Sequence, residues 1–478
     1  MSIAATALPA RTAQRSRPGL LLDGAIEKEK SETVRARLPW PVALFVVGLM
    51  IPWIIPLGPL SMPAFRLALL ATIAPCTIGW LRGKAGRFRI ADGCVLLFCI
   101  WATMSLVIAH GGRGIQTGGA LFIDTMGAYL LARCHIRDAA SFRGTILFIA
   151  GLVVLLMPFL LDEWLTGQKP LLNIFGAVFP TVDTTLMTPR MGFWRVQGPF
   201  AHSILYGALV GSLVSLTWLV AGQGMGQGRR LTMTCVIGFA AALSMSSAPL
   251  AGVLLQIALI GWDTILKRYS FRWKILWGMI AATYLVIALG SNQTPVQFYI
   301  SKFTFDQSTG WYRIWIWNYG SASVLAHPIF GIGLADWARP KWMAADTVDN
   351  FWLLTAMRYG LPAILLLAGA VLTTSTAVAR RKDLPLALAP YRTAFLICIT
   401  AFCFVGSTVH FWDAPYAWFL FLLGSGAFLL DAKPERETSE PAAVVSASPG
   451  RSRHIRPLRN PRQPLPLRRL PLERRVRR

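Results

Sequence analysis

The chain has 478 residues, of which 54% are hydrophobic, 11% aromatic and only 14% charged, and its mean hydropathy is +0.51. A soluble domain carries about 25% charged residues, so this composition excludes a soluble globular protein and points to a helical protein with many membrane spans. The formal net charge is +25, but residues 1–39 hold seven Lys/Arg against four acids and residues 432–478 thirteen against four. The remaining surplus sits in short connections between apolar runs, where it sets membrane orientation. Nucleic acid is therefore not an expected partner, and the bilayer is.

Residues 1–39 lack the short apolar core and cleavage site of a removable signal peptide, so they read as a cytoplasmic tail followed by a retained anchor. From there to residue 431 twelve apolar windows follow, near 40–57, 62–81, 91–110, 115–132, 143–161, 202–221, 231–247, 249–266, 274–290, 359–379, 393–411 and 414–431. The expected fold is an all-α integral membrane protein of about twelve transmembrane helices. Basic residues fall in alternate connections: Arg82, Lys84, Arg87 and Arg89; Arg133, Arg137 and Arg143; Arg229 and Arg230; Lys267, Arg268, Arg272 and Lys274; Arg380, Arg381, Lys382 and Arg392. With the two tails they place 37 of the 47 Lys/Arg on one side, which puts both termini in the cytoplasm by the positive-inside rule. The seven cysteines, all in or beside apolar runs, read as packing residues with no disulfide framework. Residues 432–478, rich in Arg and Pro, read as a disordered cytoplasmic tail that either is solvated or touches anionic lipid.

Two outer connections are long, residues 162–201 and 291–358. Long loops on a compact scaffold usually carry function. They hold Lys169, Arg190, Arg195, Lys302, Arg313, Arg339 and Lys341 beside Asp162, Glu163, Asp183, Asp306, Asp336, Asp346 and Asp349. Arg on this side runs against the positive-inside bias. Either an anionic ligand holds it, since guanidinium binds phosphate oxygens bidentately, or it pairs with loop acids or lipid headgroups. Trp311, Trp315 and Tyr319 recur at helical spacing and predict an aromatic-faced surface helix, with Arg313 and Trp317 on another face by the i, i+4 rule. Its aromatics serve as an interfacial belt or as platforms for sugar rings.

The loop residues also resemble a known family. RVQGPFAHSILYG at 195–207, GWYRIWIW at 310–317 ahead of HPIFGIG at 327–333, and VDNFWLLTAMRYGLPA at 348–363 occur in this order around a twelve-span frame. Over roughly residues 40–430 they resemble the O-antigen ligase and Wzy-type polymerase superfamily. The resemblance implies a multi-pass protein of the bacterial inner membrane. Its expected activity is transfer of a glycan from undecaprenyl diphosphate to a hydroxyl at the periplasmic face, with no metal and no cofactor. The acceptor would be another glycan unit or lipid A core, and other polysaccharide assembly proteins are potential partners. Where the family's ligases carry His-Asn, nine residues and Gly, this chain has Asp349-Asn350, nine residues and Gly360. Where the family often shows Ser-Arg-Gly, it has Ser246-Ser247-Ala248. These departures lean toward a polymerase.

Such chemistry needs a stabilised leaving diphosphate and a group that takes the acceptor proton. Arg195 and Arg313 occupy family-like motifs and are the expected diphosphate ligands, with Arg190 a third; Asn350 and Trp317 are further substrate-binding candidates. Asp349 is the positional base, and His410 in STVHFWD is a substitute from another element. His202 and His327 also lie in the motifs, though each of these imidazoles is equally at home buried on backbone partners. Asp349 has another reading as the N-cap of the apolar helix that follows. At 100° per residue Arg358 falls on the side of that helix opposite Asp349, so the two should not pair, and Arg358 should be interfacial. The competing function is a transporter or glycolipid flippase, supported by Asp124 midway along a span and opposed by the long loops and the lack of an internal repeat. An enzyme using polyprenyl monophosphate sugars would show acids in its first outer loop, and PLGPLSMP at 56–63 has none.

Overall fold

The computed structural model describes residues 36–58, 60–185, 187–290, 307–343 and 345–434. All of these belong to one compact unit, Met1–Glu435. Most of the N-terminal tail, the basic tail from residue 435 onward, and residues 291–306 of the second long loop with Lys302 and Asp306 lie outside the described residues.

Each of the twelve apolar windows contains a helix, the element a bilayer favours because its backbone N–H and C=O groups find partners within their own segment. The chain runs through α1 (Trp40–Leu49), a hairpin of β1 (Ile54–Leu57) and β2 (Leu60–Pro63), α2 (Ala64–Leu81), α3 (Ile90–His110), α4 (Gly112–Phe122) and α5 (Ala128–His135). Next come α6 (Ala139–Thr166), α7 (Pro170–Gly176), α8 (Ser203–Leu216), α9 (Gln227–Ala242), α10 (Ser247–Ile265) and α11 (Arg272–Gly290). The last elements are α12 (Gln307–Ala326), α13 (Phe351–Arg380), α14 (Ala389–Gly406), α15 (Asp413–Ser425) and α16 (Ala427–Asp431). Among the described residues nine helical stretches are long and apolar enough to cross a membrane. The other three expected spans are shorter or interrupted: α1 has 10 residues, α9 has 16, and α4 reaches α5 through a π-helical turn, Ile123–Gly127. The centre is formed by α8 with its π-helical extension and by the α15–α16 stretch, whose apolar windows are 83% and 89% buried against none of α11. The first outer loop is not an open connection but the β1–β2 hairpin, extended by Ile54 N–H bonding to Pro180 C=O at 2.7 Å.

The alternate, basic connections meet at one end of the bundle. Arg133 and Asp92 are both fully buried there, joined at 2.9 Å. That carboxylate also accepts from Tyr129 Oη at 2.6 Å and from the Arg89 amide at 2.8 Å. Arg89 and Arg137 both pair with Asp431. Arg143 donates to the carbonyl of Gln223 at 2.8 Å, Gln223 to that of Ala387 at 3.1 Å, and Arg381 to that of Ala432 at 2.8 Å.

The aromatic surface helix forms as α12, with Trp311, Trp315 and Tyr319 partly exposed, and Trp342 packs edge-on against Trp315 at 4.5 Å. The expectation that Arg313 and Trp317 share a face is corrected: Arg313 is 8% exposed and Trp317 42%. The packed face of α12 follows Arg313, Ile316, Gly320 and Val324, in steps of three and four, because it lies on α13. A Cβ at Gly320 would stand 2.8 Å from Leu353 Cδ2.

At Gly360 α13 is broken, with φ 82° and ψ 173° inside an otherwise helical run. The break frees backbone groups that cannot stay unpaired at this depth, and HPIFGIG satisfies them. Ile332 N–H bonds to Met357 C=O at 2.8 Å, Gly333 N–H to Arg358 C=O at 2.9 Å, and Leu361 N–H to Pro328 C=O at 2.7 Å. Trp101 Nε1 takes Tyr359 C=O at 3.0 Å. Pro362, lacking an N–H, costs nothing in the first turn after the break. The backbone conformation is one that essentially only glycine adopts, worth about 1–3 kcal/mol of strain for other residues, and a Cβ would lie 1.9 Å from Ile329 O. Gly360→Ala should therefore lower the unfolding temperature of the detergent-solubilised protein markedly. Gly369→Ala in the same helix, where the nearest atom would be Cys94 Sγ at 3.6 Å, should leave it nearly unchanged. Equal unfolding temperatures for the two variants would show that the docked loop does not depend on the break.

Candidate active site

At the end opposite the basic connections, the docked loop and the start of α13 enclose a cavity of about 700 Å³. Its walls include Asp349, Arg358, His410, Trp412 and His202, drawn from three separate parts of the chain. The backbone explains how they arrive there. Asn350, not Asp349, is the N-cap of α13, its Oδ1 accepting from Leu353 N–H at 2.9 Å. Asn350 thus has a helix-capping role rather than an evident ligand-facing one, and Asp349, one residue before the cap, is left to face the cavity. Phe351 N–H bonds to Val409 C=O at 3.1 Å, which brings the turn carrying His410 alongside. Arg358 lies just ahead of the break and lines the same cavity as Asp349, and as expected no ion pair joins the two. The helical-wheel argument put them on opposite sides because it counted Asp349 as part of the helix.

Charge and burial distinguish the titratable groups. Burial raises the Asp349 carboxyl above its usual range, and the positive charge of Arg313 opposes that shift. Burial and Arg358 hold the His410 imidazole down to about 3. The His202 imidazole is pushed down to about 4 by burial, then by Arg195, Arg190 and Lys169. Both imidazoles are therefore neutral at neutral pH and weak bases. His202 accepts from Ile204 N–H through Nδ1 at 3.1 Å, which leaves its Nε2 as an N–H donor. Asp349 is the group here whose carboxyl is shifted upward, toward proton uptake, rather than downward.

Arg195 and Arg190 converge beside this cavity on the turn between α9 and α10. Arg195 Nη2 donates to Ser246 Oγ at 3.0 Å and Arg190 Nη1 to Met245 C=O at 2.8 Å. Ser246 Oγ donates onward to Ser244 C=O at 2.9 Å. Among the described residues neither arginine has an acidic partner, and Arg195 Nε is buried without a hydrogen bond. Burial and Arg190 lower the Arg195 guanidinium to about 10, so it stays charged at neutral pH. This is the turn where Ser246-Ser247-Ala248 departs from Ser-Arg-Gly, so two guanidinium groups stand close to the position of the missing one. Neither arginine lines the cavity itself; His202, whose imidazole feels both charges, connects them to it. Arg313 likewise stands behind Asp349, and Trp317 faces away on α12. Lys169, Arg190 and Arg195 act on His202 at one part of the lining, Asp336, Asp346 and Asp349 belong to another loop, and Arg358 is a cation of the lining itself. Such an arrangement can stabilise negative charge on one side while accepting a proton on the other. Gly360, followed by Leu361 and Pro362, is the one signal in the sequence for the break that places Arg358 at the cavity.

Residues 231–368 match the family model described as O-Antigen ligase. The matched stretch is under a third of the chain and contains Arg313, Asp349, Arg358 and Gly360, while Arg190, Arg195, His202 and His410 lie outside it. No curated protein matches the chain. Over residues 231–368, which carry the helix break and Asp349, the chain is thus similar to the O-antigen ligase family.

Proposed function

We propose that the protein transfers a glycan from an undecaprenyl diphosphate carrier to an acceptor hydroxyl at the periplasmic face of the inner membrane. The observation that carries this reading is a cavity lined by the Asp349 carboxylate and Arg358, with the Arg190–Arg195 pair, which has no acidic partner among the described residues, acting on its His202 wall. The acceptor oxygen attacks the anomeric carbon, the bond from that carbon to the diphosphate oxygen breaks, and the diphosphate leaves with the electron pair. Arg195 and Arg190 stabilise the departing charge, and Asp349 takes the hydroxyl proton. Arg313 opposes the burial that raises the Asp349 carboxyl, a role that stands in place of the expected one as a diphosphate ligand. His202 Nε2–H is a further donor for a phosphate oxygen. The departures at Asp349 and Ser247 favour a polymerase, whose acceptor is another repeat unit, over ligation to lipid A core. The transporter reading loses its best support, because Asp124 is held by Arg66 through two bonds of 2.8 and 2.6 Å.

Orientation follows from the basic end facing the cytoplasm. Reporter fusions after residues 90, 140, 230, 270 and 385 should read as cytoplasmic. Those after 180 and 335 should read as periplasmic, and a cytoplasmic signal at 335 would put the cavity on the wrong face.

Arg195→Ala should abolish long-chain glycan while the protein still reaches the membrane, and Arg195→Lys should rescue only in part because it lacks the bidentate fork. Arg313→Ala should instead move the acidic limb of the pH–rate profile upward, since removing a positive charge raises the Asp349 carboxyl and a base must be ionised to act. Normal glycan from Arg195→Ala would dismiss the diphosphate role.

Asp349→Asn removes the proton acceptor and should lower turnover of purified enzyme by about a hundredfold or more. Asp349→His should keep measurable activity, because it restores at this position the residue that the family's ligases carry. Full turnover in Asp349→Asn, together with loss in His410→Gln, would move the base to His410.

A further inference from the structure

Glu163, near the end of α6, is 1% exposed and takes no part in the chemistry above. Its Oε1 accepts from Gln197 N–H at 2.6 Å and from Lys169 Nζ at 2.6 Å, and its Oε2 accepts from Gly198 N–H at 3.0 Å. A buried carboxylate needs such donors to offset its lost hydration, but these two amides belong to the segment that carries Arg195. The next residue, Trp164, holds the other side of Arg195: its carbonyl accepts from Trp194 N–H at 3.0 Å and its ring stacks on Phe193 at 4.0 Å. Val196 N–H then bonds to Leu243 C=O at 3.0 Å. Gly198 reaches the carboxylate with φ +58°, and a Cβ there would press on Leu160 at 3.0 Å. The end of α6 thus clamps the backbone on both sides of Arg195 without touching its guanidinium.

We propose that Glu163 is a positioning residue that fixes Arg195 for the departing diphosphate by gripping the amides of Gln197 and Gly198. The proposal rests on the diphosphate reading of Arg195. Gln at 163 would keep one oxygen but set an NH₂ against a backbone N–H. The test uses the purified full-length protein with undecaprenyl diphosphate as the probe for binding and the glycan-loaded carrier for turnover. Glu163→Gln should weaken undecaprenyl diphosphate binding and raise donor KM by about ten- to a hundredfold, with acceptor KM unchanged. Combined with Arg195→Ala it should weaken undecaprenyl diphosphate binding no further than Arg195→Ala alone, since both act through one group. Gly198→Ala, which disturbs the same grip from the other partner, should give the same donor-specific loss and serves if Glu163→Gln does not accumulate. Multiplicative losses in the double variant, or equal losses toward donor and acceptor, would overturn the positioning role. If Arg195→Ala itself binds undecaprenyl diphosphate normally, the diphosphate reading fails first, and that result is distinct from normal Arg195 behaviour with an indifferent Glu163.

Discussion

A membrane helix that stops at one residue and restarts at the next must find partners for the carbonyls and amides that its own ladder would have satisfied. In this protein that need is met by HPIFGIG, whose amides and carbonyl complete α13 on both sides of Gly360. The cavity follows from this docking. The loop that seals the break also forms one wall, and the half-helix it stabilises presents Arg358 to the interior. His110 adds a further tie, with Nε2 accepting from Leu334 N–H at 2.7 Å. The spacing from Asn350 to Gly360 then has a mechanical meaning: it is the length of helix between the cap that frees Asp349 and the break that anchors the opposite wall.

The charges at this end are arranged by backbone contacts more than by ion pairs. Lys169 pairs with Glu163, and Arg339 with Asp336. Arg190 and Arg195 bond instead to neutral groups of a tight turn. A guanidinium satisfied by a carbonyl or hydroxyl keeps its full charge for an anion that arrives later, whereas one paired to a carboxylate has to lose that partner first. His202 follows the same pattern: burial first and then the nearby positive charges keep it neutral, and its Nδ1 is already committed to the start of α8.

The opposite end is built for rigidity. Asp92 and Arg133 are fully buried, and every strong acceptor site of the carboxylate is used, by Arg133, Tyr129 and the Arg89 amide. A buried pair of this kind is costly to desolvate, and here the carboxylate is fully satisfied while Arg133 Nη1 is buried without a hydrogen bond. Asp431 does the same between α16 and the connections after α2 and α5 through Arg89 and Arg137. Residues that sequence patterning treats as orientation charges thus also staple the connections together.

Composition and periodicity by themselves determined the helical membrane class, the twelve apolar windows, the alternation of basic connections and the aromatic face of α12, because hydrophobic length and charge bias act locally along the chain. The motifs named the stretches that form the site, and the spacing to Gly360 marked its frame. The sequence did not decide between Asp349 and Asn350 as the cap, since both are good caps and only the backbone path selects one. Nor did it reveal that Gly360 breaks the helix, that Arg358 turns into the cavity, or that Glu163 grips the Arg195 segment. Those facts depend on contacts between residues far apart in the chain, such as Phe351 with Val409 and Glu163 with Gln197, and tertiary packing alone brings such pairs within hydrogen-bonding distance.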